Sequence, residues 1–167
     1  MHSIVGQQLS TRAAAAIHAR LLAYFGGGAP APREVLDADP DELRAAAGLS
    51  RAKVSFLRSL AEHVVGGELE LGRLVDLPDD EVVAELTAVR GIGEWSAHMF
   101  LIFHLDRPDV LAWGDLGVRR AVERAYGLAD LPSPDALRML AEPWRPHRTV
   151  ACHVLWRSLD VTAPLPG

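Results

Sequence analysis

With 167 residues, 49% of them apolar, and a single cysteine, the chain is long enough to bury its own core as one domain or as two small lobes. Cys152 alone excludes an intramolecular disulfide, a multi-cysteine zinc site and a four-cysteine iron–sulfur cluster, and it points to a reducing compartment. A formal net charge of −5 works against nonspecific nucleic-acid binding, whose affinity comes mainly from neutralising phosphates. No apolar run approaches the roughly 20 residues of a membrane span, and no basic segment leads into an apolar one at the start. A soluble, cytoplasmic, membrane-free protein is therefore expected. Alanine, leucine and arginine are abundant and β-branched or aromatic runs are scarce, which predicts an all-α fold.

The opening, Met1 to Ser10, contains Gly6-Gln7-Gln8-Leu9-Ser10. Ser10 is placed to cap an alanine-rich helix that runs to Tyr24, with Ile17, Leu21 and Leu22 on its apolar face and Gly26-Gly27-Gly28 ending it. A proline-bearing loop follows at Ala29 to Arg33. Asp39-Pro40-Asp41-Glu42 then combines a cap, a first-turn proline and acids at the positive dipole end, and Gly48 closes that helix. Ser50 caps a longer one whose Val54, Leu57, Leu60 and Val64 form a buried stripe, stopped by Gly66-Gly67. Asp79-Asp80-Glu81 opens the next helix, which reaches Leu86. A turn at Val89-Arg90-Gly91-Ile92-Gly93 leads into a second apolar run, Trp95 to Phe103. Further on, a helix from Leu116 ends at Gly127, Pro132-Ser133-Pro134 opens a short helix ending near Glu142, and Thr149 to Leu159 forms the last. The tail from Thr162 should be disordered.

Two stretches carry chemistry. In the first, Gly91 and Gly93 bracket one apolar residue, and glycine lets a backbone turn with positive φ and approach another chain closely. The following helix starts just after Gly93, so its unpaired N–H groups and positive end suit a phosphate. The carbonyls of Thr87, Val89 and Ile92 point away from both helices and are candidate ligands for a monovalent cation. In the second, Trp113-Gly114-Asp115 sets an acid after a turn and before the basic helix containing Arg119, Arg120 and Arg124. Asp115 is in the position of an N-cap and is also free to act chemically. Asp106, Asp109 and Asp130 are other acids nearby, none at an equivalent boundary, with Asp109 the nearest substitute. His98, His104, His147 and His153 lack the spacing of metal ligands; His98 is the one expected to face a nucleic acid.

Together these two stretches resemble the helix-hairpin-helix DNA glycosylases of base excision repair, and within them the AlkA-type alkylation-repair enzymes, DNA-3-methyladenine glycosylase II. The likeness runs from Ile4 to Leu159. It implies a two-lobed helical fold with a cleft, in one domain over 1–167 whose N-terminal edge is cut short, and a hairpin unit at about 79–104. It implies Asp115 as the catalytic carboxylate, with Trp95, Met99, Trp113 and Trp156 lining the base pocket. Gln7 and Gln8 would contact DNA, Gln8 as the wedge filling the space of the extruded base, together with Arg90, Gly91, Gly93, Arg119 and Arg120.

The family's bifunctional members carry a lysine two places after the second hairpin glycine. Here that residue is Trp95, so the resemblance implies a monofunctional enzyme leaving an abasic site, which needs no cofactor and no iron–sulfur cluster, with Na+ or K+ in the hairpin as a candidate ion. Its expected partner is double-stranded DNA with damaged bases, bound by a monomer at the nucleoid. The alternatives are a non-catalytic helix-hairpin-helix DNA-binding module and a glycosylase for other damaged or mismatched bases.

Overall fold

The structure, a computed structural model, describes residues 11–160. Gln7, Gln8, the Ser10 cap and the tail lie outside the described residues. Among the described residues the regular elements are all helical: α1 Thr11–Tyr24, α2 Pro32–Asp37, α3 Pro40–Ala47, α4 Arg51–Val65, α5 Asp79–Ala88, α6 Glu94–Phe103, α7 Leu116–Tyr126, α8 Pro134–Leu140 and α9 Arg148–Asp160, with 3₁₀ turns at Leu74–Asp76 and Glu142–Trp144. No helix among them is long and apolar enough to cross a membrane.

The expected caps form. Asp39 Oδ1 accepts the Asp41 and Glu42 amides, both at 2.9 Å, and Ser50 accepts that of Lys53 at 3.2 Å; Ser133, in a stretch expected only to open a helix, caps it too, accepting the Ala136 amide at 3.1 Å. Each satisfies donors that the first helical turn leaves unpaired. One expected loop is instead a helix. α2 begins at Pro32, with Glu34 accepting the Ala31 amide at 2.6 Å. Arg58 Nη1 donates to the carbonyls of Val35, Leu36 and Ala38 at 3.4, 2.9 and 3.2 Å. Six residues are too few to be stable alone; the buried Val35 and this guanidinium, both tertiary effects, hold the turn.

The chain divides into two compact units, and the division falls between Gly93 and Glu94, inside the hairpin. In the first unit, Leu21, Val35, Leu43, Ala47, Leu49, Val54, Leu57 and Ala61 form the core, and α2 packs on α4 as α1 does on α3. Ile92, the residue between the hairpin glycines, packs against that core along with Phe56. The turn is thus seated on α4 by its own apolar side chain.

In the second unit, α7 packs on α9 around Val118, Ala121, Val122 and Cys152, each no more than 1% exposed. Burial pushes the Cys152 thiol above its usual range. The segment ahead of Val110 is tied to the start of α9. Thr149 Oγ1 donates to the Arg107 carbonyl at 2.6 Å and accepts the Val110 amide at 3.0 Å. Asp109 receives Arg148 through Nε at 2.7 Å and Nη2 at 2.9 Å, and Arg145 Nη1 at 3.0 Å.

The hydrogen bond from Arg148 holds the Asp109 carboxyl below the usual carboxylate range, partly offset by desolvation. A carboxyl whose folded pKa is depressed adds stability above its unfolded pKa of about 3.9 and loses it as pH falls through the folded value. Asp109→Asn should therefore cost about 1.5–3 kcal/mol at pH 7, and the gap to wild type should close below about pH 4. Denaturant titrations at the two pH values read this directly; a gap that persists in acid would mean that packing, not charge, is lost.

Candidate active site

Asp115 sits at the N-cap of α7 with extended backbone, φ −76° and ψ 124°. Its amide donates to the Ala112 carbonyl at 2.9 Å, closing the turn ahead of the helix. The half-buried carboxylate collects three donors. Oδ1 accepts the Val118 amide at 2.9 Å and Trp156 Nε1 at 2.8 Å, and Oδ2 accepts Trp95 Nε1 at 2.9 Å. Capping and site-building thus use the same group, and α6, α7 and α9 each contribute a residue. All of them belong to the second unit.

Gly117 makes this approach possible. A Cβ there would stand 2.9 Å from Asp115 Oδ1 and 3.3 Å from the Trp156 ring. A glycine in the first turn of a helix costs about 1 kcal/mol against alanine, and that oddity in Asp115-Leu116-Gly117 was the available sequence signal.

Aromatic rings extend from the carboxylate. Trp95 is 41% exposed. Trp156 stacks on Phe103 with centroids 5.8 Å apart and planes at 24°, while His153 meets both edge-on. Phe103, not singled out above, lies four residues after Met99 and eight after Trp95. That is one helical face, a spacing legible in the sequence. Met99 is half-buried on it.

Trp113 lies elsewhere. Its half-buried ring meets His98 edge-on at 5.8 Å, and Arg138 Cζ sits 3.9 Å from its centroid. A guanidinium occupies the face expected to meet a base. His98, expected to face DNA, is half-buried against that ring; burial lowers its imidazole pKa, with Glu94 opposing and Arg138 reinforcing, and its Nδ1 is buried without a hydrogen-bond partner. Asp109, the substitute acid, is held by two arginines.

The hairpin turn is more self-satisfied than an open nest of amides. The Arg90 amide donates to Ser59 Oγ at 3.3 Å and that of Ile92 to the Val89 carbonyl at 3.0 Å, and the helix that follows carries Glu94 in its first turn. Gly91 has φ +90°, whereas a Cβ at Gly93 would meet nothing within 4 Å. Of the basic cluster, Arg120 and Arg124 are exposed. Arg119 is half-buried and donates through Nε to the Pro132 carbonyl at 2.8 Å, clamping the loop before α8.

Residues 1–146 match the family model described as HhH-GPD superfamily base excision DNA repair protein. The chain belongs to that superfamily. This HhH-GPD chain is 32% identical to DNA-3-methyladenine glycosylase 1 of Schizosaccharomyces pombe over 99% of its own length and 74% of that protein's. It is also 32% identical to the DNA-3-methyladenine glycosylase of Saccharomyces cerevisiae, over 93% of its own length but 64% of the yeast protein's. Among solved structures, the S. pombe glycosylase in complex with abasic DNA superposes with a TM-score of 0.87 at 31% identity, covering 99% of this chain and 81% of that one. A DNA-3-methyladenine glycosidase from Bacillus halodurans gives 0.84 at 38% identity, over 94% and 72%. The all-α HhH-GPD architecture expected from the sequence is the architecture of these proteins.

Proposed function

We propose that the chain is a monofunctional DNA glycosylase that turns an alkylated purine out of the duplex and hydrolyses its N-glycosidic bond. The observation that carries this reading is one carboxylate, Asp115, held at a helix start between two indoles. Alkylation at a ring nitrogen makes the purine cationic and a good leaving group. As the bond from C1′ to the purine nitrogen breaks, the electron pair leaves with the base and the sugar gains oxocarbenium character. A fixed carboxylate stabilises that positive charge without reorganising, and can orient the water that attacks C1′ and take its proton. The three N–H donors hold Asp115 in one geometry. The exposed Trp95 ring offers a face for a cationic base, worth roughly 1 kcal/mol when exposed and about 2 or more when desolvated. Trp95 also stands where an attacking lysine would be, so the product is an abasic site without strand cleavage.

On this reading damaged double-stranded DNA is the partner of a monomer acting in the cytoplasm, at the nucleoid. The hairpin holds the backbone through Arg90, Gly91 and Gly93, and Arg120 is an exposed cation on α7. The carbonyls of Thr87 and Ile92, with that of Val89 shared with the Ile92 amide, are neutral, hard oxygen donors of the kind that suits Na+ or K+; the ion would add positive charge next to the phosphate. No catalytic cofactor enters.

The test is incubation with methylated duplex DNA. Methylpurines should appear free in solution, and strands should break only after alkaline treatment. Methylated DNA left intact sinks the proposal. The three donors on Asp115 equally suit a purely structural cap in a silent DNA-binding module, and substitution at that residue separates the two readings.

A further inference from the structure

The −5 charge of the chain requires any grip on DNA to come from local concentrations of cations, and one lies in the first unit, where Arg58 and Arg90 meet two further arginines. A cavity of about 500 Å³ opens between the first turn of α3, one side of α4 and the turn after α5. That volume falls within the range of ligand-sized sites, about 300–1,000 Å³. Arg44, Arg51, Arg58 and Arg90 line it, against Asp41 and Glu62.

These arginines are not equally committed. Arg58 is fastened through Nη1 to the carbonyls ending α2. Arg44 makes only a long 3.4 Å contact with Asp41, and the two side chains are 40% and 83% exposed, a geometry worth little. Arg51 and Arg90 are exposed and have no acidic partner among the described residues. Arg90 immediately precedes the hairpin glycines and is anchored by its amide on Ser59 of α4.

We propose that this basin binds a phosphodiester of the DNA backbone, with Arg44 and Arg51 extending the hairpin's hold to a second stretch of phosphates. The proposal rests on the glycosylase reading for the identity of the anion. Guanidinium groups suit it because they present paired donors to phosphate oxygens and keep their charge. Arg58, already held at one nitrogen, gives the basin a rigid positive floor.

The experiment is the salt dependence of binding to undamaged duplex. Each phosphate neutralised contributes about 0.9 to the slope of log K against log salt. Arg44→Ala with Arg51→Ala should therefore flatten that slope by about 1.8, each single substitution by about half as much, and Arg44→Lys with Arg51→Lys should largely restore it. Arg33→Ala, an exposed arginine on α2 outside the basin, should leave it unchanged. A double variant with the wild-type slope and wild-type Tm overturns the proposal. So does a basin that serves free phosphate: millimolar inorganic phosphate would then raise the Tm of wild type but not of the double variant, with the DNA slope unmoved. If the slope falls as expected while wild type releases no base, the phosphate basin stands and the glycosylase reading fails alone.

Discussion

Asp115→Asn is expected to slow base release by about 10²- to 10⁴-fold, the usual scale for removing a positioned acid–base group, while binding to undamaged duplex changes little. The substitution preserves shape and one acceptor. If the remaining oxygen takes the place of Oδ1, it still accepts the Val118 amide and Trp156, and the cap survives. The new NH₂ then faces the Trp95 indole N–H, which donates to Oδ2 at 2.9 Å. Two donors meet, and one unsatisfied group costs about 1–3 kcal/mol. What disappears is the negative charge beside the reacting sugar. Single-turnover excision, fluorescence anisotropy and urea denaturation on the same samples separate these effects. Excision within a few-fold of wild type would remove Asp115 from the chemistry. A parallel collapse of excision, affinity and folding would reduce it to a cap.

Gly91→Ala should destabilise the first unit by about 2–5 kcal/mol, adding overpacking of about 1–3 to the left-handed penalty of about 1–2. Gly91 has φ +90°, and a Cβ there would lie 2.2, 2.4 and 2.6 Å from three atoms of the Phe56 ring. A ring braced on the core cannot retreat as the tip of a lysine could. Phe56→Ala should relieve the steric part and leave the φ penalty, so the cycle of the two substitutions should show coupling of about 1–3 kcal/mol. Gly93→Ala, whose Cβ meets nothing within 4 Å, should stay within about 0.5 kcal/mol in stability. Its effect, if the hairpin grips phosphate, belongs to DNA affinity. Equal losses for the two glycines would contradict the docked turn.

Much of the fold was legible because its signals are local. Caps such as Asp39 and Ser50, and the apolar stripes behind them, depend on residues three or four apart, and sequence displays that spacing openly. The short α2 was not legible, since its stability comes from Arg58 on another helix and from burial of Val35. The site divides the same way. Asp115 could be found from a turn-to-helix boundary, and Trp95 from its distance to the hairpin. That their side chains meet, with Trp156 added from 41 residues away, could not.

By itself, then, the sequence determined an all-α chain, the places where its helices start and stop, and the two stretches where a phosphate grip and a carboxylate lie, because propensity and capping act within a turn or two. Only the tertiary structure decided which polar groups remain free to act. It bound Asp109 to two arginines, laid Arg138 over Trp113, and used two hairpin amides internally. A side chain's availability depends on partners brought together by core packing, and those partners are distant along the chain.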